Sequence, residues 1–454
     1  LAIEKIHIKI SWRWIALGSV FVALQMFAGV PQAVWYTALT ACAYTIFTVI
    51  GRAESGKRWR FLAASGAMAG CGLLLSAVQL LPLRELQQQT VRSQIPYEAF
   101  AAYSFPPRQI LALVFPFFFG GASRAPYAVA YSGEWGIFVT CGYVGVLGLL
   151  LMLIAVFGVG RRLMWFWAGC AIAALALSFG DYLPFGFNHL LHRLPVYNLF
   201  RASSRHMLEY TFACAVLAGM GLQHLAEGAS AKRALKYATA ISSLIVGATA
   251  LVYCLFATRR GSPREAEFII PLVCFILGVC VIWFYSSRPT LARGALVLLV
   301  LFGDLWSFGQ FLDWRTYLFR IDTALADPPA VRFLKEREAE AHAYRLLSYS
   351  RQPFGADYEA LNYPNVSIAR GVQSVNGYDM LLMRRPAELM GGMTPDGVVH
   401  DARAFSLEDR SLDLMNVKYL LCESQGEPAT RHLVRDGVRF NDELIHLPLA
   451  PGRR

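Results

Sequence analysis

The sequence predicts a polytopic α-helical membrane protein with a small α/β domain after its last span, on three observations. Apolar runs long enough to cross a bilayer recur through the first two thirds of the chain and then stop. Charged residues make up 16% of the 454 residues against 56% hydrophobic, with a mean hydropathy of +0.42. Beyond residue 320 the pattern changes to short alternating strands and turns. Soluble domains carry about 25% charged residues, so this composition excludes a soluble enzyme.

A hydrocarbon core of roughly 30 Å takes about 20 helical residues to cross. Runs of that kind lie at 12–29, 31–50, 61–82, 135–158, 163–179, 206–225, 234–257, 268–285 and 294–312. They predict roughly nine helices within a membrane domain at 1–320. Only Gly29-Val30-Pro31 separates the first two, a sequence suited either to a tight hairpin or to a break within one helix. The stretch 106–121 is apolar but too short to span, and with Pro116 inside it reads as an interfacial or re-entrant element at the outer leaflet.

Short loops rich in Lys and Arg face the cytoplasm. Arg52, Lys57, Arg58 and Arg60 fill one such loop; Arg161 and Arg162, then Lys232, Arg233 and Lys236, then Arg288 and Arg293 mark three more, all on one side. Large outer loops are therefore expected at 83–134 and 180–205, and the domain at 321–454 outside as well. Arg259, Arg260 and Arg264 break the rule, offset by Glu265 and Glu267. In the outer domain, strands are predicted at 344–349 and 417–421, with turns at Asn376-Gly377 and Asp436-Gly437.

A formal charge of +11 fits cytoplasmic loops and lipid-facing rims, and no nucleic-acid-binding motif accompanies it. Eight of the nine cysteines fall in apolar segments, leaving Cys422 alone in the outer domain, so neither a disulfide framework nor a zinc spacing can be drawn.

Several motifs occur in a characteristic order. Gly29-Val30-Pro31-Gln32 follows the first helix, Ser76-Ala77-Val78-Gln79-Leu80-Leu81-Pro82 ends the third, and Tyr131-Ser132-Gly133-Glu134 precedes Gly142-Tyr143-Val144-Gly145. Leu194-Pro195-Val196-Tyr197-Asn198-Leu199-Phe200-Arg201-Ala202-Ser203-Ser204-Arg205 leads to Ala215-Val216-Leu217-Ala218-Gly219-Met220-Gly221-Leu222. Val375-Asn376-Gly377-Tyr378-Asp379 and Leu412-Asp413-Leu414-Met415-Asn416-Val417-Lys418-Tyr419-Leu420-Leu421 complete the set. In this order the motifs resemble the bacterial YfhO-like membrane proteins of the class-C (GT-C) glycosyltransferase superfamily, over most of the chain. The resemblance implies a GT-C-like fold and transfer of a sugar from a polyprenyl-phosphate-linked donor to a cell-envelope glycopolymer or glycolipid, at the outer face of the bacterial cytoplasmic membrane. It also places the usual catalytic carboxylate in a first external loop that would lie upstream of Leu1. Phe440-Asn441-Asp442-Glu443 runs into Leu447-Pro448-Leu449 where the family continues, so truncation at both ends is expected. A flippase or transporter of lipid-linked precursors, or a non-catalytic protein that binds envelope polymers, stands as the alternative.

Such transfer needs a cradle for a lipid phosphate, a carboxylate base and an apolar groove for the prenyl tail. Arg201 and Arg205, four apart at the outer end of a helix, would share a face and suit a phosphate, or else pair with Glu209 and Asp181 or snorkel to lipid headgroups. Arg92 and Arg124 in the outer loop are either further phosphate contacts or surface charges, and Gln79 binds either a sugar hydroxyl or backbone freed by Pro82. Glu134, opening the helix from Trp135, either complements the helix dipole or acts as a base or metal ligand. Glu85, Glu98 and Asp181 read as solvated loop carboxylates. Glu209 and Asp304 are intramembrane carboxylates with either a functional or a helix-bridging role. His189 and His192 have ligand spacing without a third ligand, and Asn376-Gly377-Tyr378-Asp379 reads as a turn. No cofactor is evident, and the sequence leaves a need for a divalent metal open. The expected partners are the lipid bilayer, the polyprenyl-phosphate-linked donor and the envelope glycan acceptor.

Overall fold

The computed structural model describes residues 1–93, 95–121, 131–137, 139–227, 231–260, 265–312, 326–327, 329–337, 343–349, 365–377, 381–389 and 411–422. Arg124, Arg264, Tyr378, Asp379, the turn at Asp436-Gly437 and the C-terminal run from Phe440 lie outside the described residues, as does the side chain of Arg92. The chain forms two units, Leu1–Leu80 with Pro96–Tyr317, and Leu81–Ile95 with Leu318–Arg454.

The first unit is helical: α1 (Ala2–Ile8), α2 (Trp12–Phe27), α3 (Pro31–Gly51), α4 (Arg58–Leu75), the start of α5 (Ala77–Gln88), α6 (Tyr97–Ala101), α7 (Val146–Gly158), α8 (Arg162–Ser178), α9 (Phe187–His192), α10 (Met207–Ala226), α11 (Ala231–Arg260), α12 (Glu265–Ser287) and α13 (Leu291–Gly309). Among the described residues, Pro31–Gly51, Ala231–Phe256, Glu267–Ser287 and Leu291–Gly309 are long and apolar enough to cross a membrane. α4 and α5 make a fifth such span if the bent pair counts as one, while α2, α7 and α8 are apolar but shorter. Phe21, Leu24, Ile50, Leu244, Ile276 and Phe302 point outward from these helices, as side chains bathed in lipid would.

Two expected spans are interrupted. The run 61–82 is two helices bent by 70°. Ser76 at the break is fully buried, and its hydroxyl donates to the carbonyls of Gly72 (3.0 Å) and Leu73 (3.1 Å), diverting the backbone from a regular ladder. The run 135–158 is helical only from Val146, so Glu134 opens no helix; it sits in an irregular segment that ends at Gly145 with φ +84°. Asp304 of α13 closes the ladder there, accepting the Tyr143 hydroxyl (2.5 Å) on Oδ1 and the Leu147 N–H (3.3 Å) on Oδ2. At about 1.5 Å per residue, α7 reaches only roughly 20 Å. It is the core of the bundle, with Leu147, Leu150, Ile154 and Ala155 wholly buried against neighbours that include α8, α10, α11, α12 and α13. Irregular backbone beside such a helix is tolerated in a membrane only when protein covers it. The stretch 106–121 meets that condition. It holds a 3₁₀ turn, Pro107–Leu113, followed by the buried Phe115, Phe117, Phe118 and Phe119. At the first short connection, Gly29 takes φ +77° and Pro31 stands at the start of α3, a break rather than a continuous helix.

α1 is held by a fork. Arg52 donates to both oxygens of Glu4 (2.8 and 2.7 Å), and Tyr44 donates to the same carboxylate. The Arg52 hydrogen bond holds the Glu4 carboxyl below its ordinary 4.5. A depressed carboxyl stabilises fully above its unfolded value and stops doing so as pH falls through the folded one. Exchange protection of the α1 amides, corrected for intrinsic rates, is therefore expected to hold from pH 7 down to about 4.5 and to fall below it. The pair is partly exposed, so the effect is local and modest.

The second unit contains two parallel strands, β1 (Arg345–Tyr349) and β2 (Val417–Cys422), and the short helices α14 (Pro329–Arg337), α15 (Val366–Ala369), α16 (Arg384–Leu389) and α17 (Ser411–Leu414). Val331, Leu334, Leu346 and Val372 form its apolar centre. Part of the 83–134 loop belongs here: Thr90 bridges Met383, and Arg384 donates to the Gln88 carbonyl (2.8 Å) and the Ser93 hydroxyl (2.8 Å). In the Asn376-Gly377 turn, Asn376 is buried and its N–H donates to the Ser374 hydroxyl (3.1 Å).

Candidate functional site

The segment from Leu194 to Arg205 folds without a continuous helix, so Arg201 and Arg205 do not share a helical face. Val196 and Ala202 both adopt positive φ, at 71° and 67°. For a β-branched residue that is a true outlier, and such strain costs on the order of 1–3 kcal/mol per site unless the surroundings enforce it. Between these two points a 3₁₀ turn carries Tyr197, and a second one, Ser203–His206, leads into α10.

Gln32 of α3 ties the segment down. Its side-chain amide donates to the Arg201 carbonyl (2.6 Å) and the Tyr36 hydroxyl (2.7 Å), while its Oε1 accepts from Arg205. The Arg201 guanidinium lies over the Tyr103 ring at 5.7 Å, and Tyr103 in turn packs on Trp135 at 4.8 Å. The two carboxylates that sequence spacing offered as partners have engagements of their own. Asp181 accepts the Tyr97 hydroxyl (2.5 Å), and Glu209 pairs with His206.

Gln32, Trp35, Tyr36, Phe100, Tyr197, Phe200, Arg201 and Ser203 line a narrow cleft. Its walls are aromatic, and its polar groups are the Gln32 amide, the Arg201 guanidinium and the Tyr36, Tyr197 and Ser203 hydroxyls. The Trp35 indole N–H and, next in sequence to the lining Ser203, the Ser204 hydroxyl are buried and meet no hydrogen-bond partner among the described residues. Such atoms suit a ligand rich in acceptor oxygens with an apolar body.

Glu134 lies on the same surface, next to Trp135, where it accepts the Tyr182 hydroxyl (2.9 Å) and Arg108 (3.4 Å). Burial, then Glu134, pushes the Tyr182 hydroxyl up to about 12. Gln79 sits in the first turn of α5, outside the residues lining the cleft, and Arg92 lies in the Val91–Ser93 turn of the other unit. Asp304 is occupied by α7. His189 stacks flat on Tyr97 at 3.6 Å and His192 meets the same ring edge-on at 5.7 Å, and among the described residues no group of three or more His, Cys, Asp or Glu could hold a metal. A second, small pocket lies between the 106–121 stretch and the irregular segment before α7, where buried Gln109 donates to Tyr131 (2.7 Å).

Sequence reasoning missed Gln32, Tyr36, Tyr197 and His206. Only His206 left a local signal, standing three residues before Glu209 at a helix start.

The chain matches no family model, no curated protein and no solved structure.

Proposed function

We propose that this chain is a membrane glycosyltransferase of the YfhO-like, class-C kind. It would move a sugar from a polyprenyl-phosphate-linked donor to a cell-envelope glycopolymer or glycolipid at the outer face of the bacterial cytoplasmic membrane. The reading rests above all on one observation, that Arg201 and Gln32 line an aromatic-walled cleft and that the Gln32 side-chain oxygen in turn holds Arg205. Guanidinium groups bind phosphate oxygens in a planar fork, and aromatic walls suit both a sugar face and the first prenyl units. The apolar helices supply the membrane setting, and the four basic turns favour a cytoplasmic side opposite the cleft. On this reading the roughly nine apolar segments are crossings and the C-terminal unit is an extracytoplasmic α/β domain.

The test is transfer from polyprenyl-phosphate glucose, galactose and mannose to envelope acceptors in membranes, with and without Arg201→Ala plus Arg205→Ala. The double variant is expected to lose about 10²–10³-fold in transfer while inserting normally, the scale seen when groups that stabilise developing charge are removed. Arg201→Lys plus Arg205→Lys keeps the charge without the fork and should recover only part. Carrier movement across the bilayer without transfer from any donor would replace this reading with the transporter.

A further inference from the structure

His206 is completely buried at the start of α10, yet both of its ring nitrogens are engaged. Nδ1 meets the Glu209 carboxylate and Nε2 meets the Tyr197 hydroxyl. A carboxylate only accepts, so Glu209 fixes the proton on Nδ1 and leaves the Nε2 lone pair for the Tyr197 O–H. The Tyr197 oxygen keeps a lone pair for another donor, and Tyr197 lines the cleft beside Gln32, Arg201 and Ser203. The other ionisable groups around this chain are Tyr36, whose ring packs on His206 at 4.4 Å and whose hydroxyl is held by Gln32, Cys170 of α8 near Glu209, and Arg205 next in sequence to His206. None of them comes between Tyr197, His206 and Glu209. The strained Val196 and Ala202 bracket the segment that presents both Tyr197 and Arg201 to the cleft.

We propose that Tyr197, His206 and Glu209 form a proton relay that deprotonates the acceptor hydroxyl during glycosyl transfer. This rests on the glycosyltransferase reading above. In the step, the acceptor oxygen bonds to the sugar anomeric carbon as the bond from that carbon to the phosphate oxygen breaks. The electron pair leaves on the polyprenyl phosphate, facing Arg201 and Arg205. The acceptor proton passes to the Tyr197 oxygen as the Tyr197 proton passes to His206 Nε2, and the imidazolium so formed is stabilised by Glu209. After release of the products the extra proton returns to water. Tyr197 is the group that touches substrate; Glu209 is a positioning residue that acts through His206.

Wild type, Tyr197→Phe, Glu209→Gln and Glu209→Asp are compared in proteoliposomes with the same three hexose donors. Binding of radiolabelled polyprenyl phosphate reports that each variant is folded. Tyr197→Phe is expected to lower kcat by about 10²-fold, within the range of general base catalysis, with donor KM and carrier binding unchanged. It should also abolish the solvent deuterium isotope effect on kcat. Glu209→Gln should lower kcat by less, again at constant KM, with Glu209→Asp recovering part. Wild-type kcat and isotope effect in Tyr197→Phe would overturn the relay and leave glycosyl transfer standing. A wild-type protein that binds polyprenyl phosphate but transfers none of the three sugars would overturn the transfer reading and the relay with it.

Discussion

Gly221→Ala is expected to destabilise the protein by about 3 kcal/mol, and Gly221→Leu to prevent assembly of the bundle, while Gly219→Ala two residues away is neutral or slightly stabilising. Both sites are in α10, but they face different surroundings. A Cβ on Gly221 would stand 2.0 Å from the Leu151 carbonyl oxygen and 3.2 Å from the Ala155 nitrogen, both backbone atoms of α7. The closest comfortable carbon to oxygen approach is roughly 3.3 Å, so the helices must part by more than about 1 Å. Backbone cannot swing aside as a flexible side chain can. The separation opens the seam where Leu150, Ile154 and Ala155 meet Ala213, Leu217 and Leu225, and in a bilayer such close packing replaces the missing hydrophobic drive for helix association. Nothing lies within 4 Å of a Cβ at Gly219, so alanine there only gains helix propensity. Thermal unfolding of the three variants in detergent measures the difference. Equal losses at both positions would show that α10 and α7 do not touch through Gly221.

How much of this could be read from the residues depends on the range over which each feature is decided. Run length and apolarity mark α3, α11, α12 and α13 because a span needs only its own side chains to declare itself. Gly29 and Pro31 announce the first break locally, and the strand signals at 344–349 and 417–421 fall on β1 and β2, although their parallel pairing is long-range. The late start of α7 is different. Residues 135–145 continue the apolar run of the helix that follows without a charge to interrupt it, and the contact that ends the irregular segment comes from Asp304, far along the chain. At the candidate site, the Arg201 and Arg205 spacing suggested one helical face, and Ala202 at positive φ undoes it. The partners that hold this segment, Gln32 and Tyr103, are separated from it by long stretches of sequence, and no local pattern reports that meeting.

Asp304 carries the second large effect, and its outcome distinguishes a carboxylate that holds helices together from one that does chemistry. It is 1% exposed within α13, where a charge is tolerated only with partners, and its partners are the Tyr143 hydroxyl and the Leu147 N–H at the opening turn of α7. Alanine would leave both donors buried without an acceptor, at about 1–3 kcal/mol each. Part of that is returned because the burial cost of the carboxylate disappears, which gives an expected loss of about 3 kcal/mol for Asp304→Ala. Asp304→Asn keeps the shape and one acceptor oxygen, so it should lose about half as much. Gly145 reinforces the arrangement, since a Cβ there would lie 2.7 Å from Asp304 Oδ2. Thermal unfolding should therefore rank wild type above Asn and Asn above Ala, and the proposed sugar transfer is expected to follow the same order through the packing of α7. The reverse signature, an Asp304→Asn protein as stable as wild type but inactive, would mean that the charge itself serves the reaction and that capping α7 is incidental.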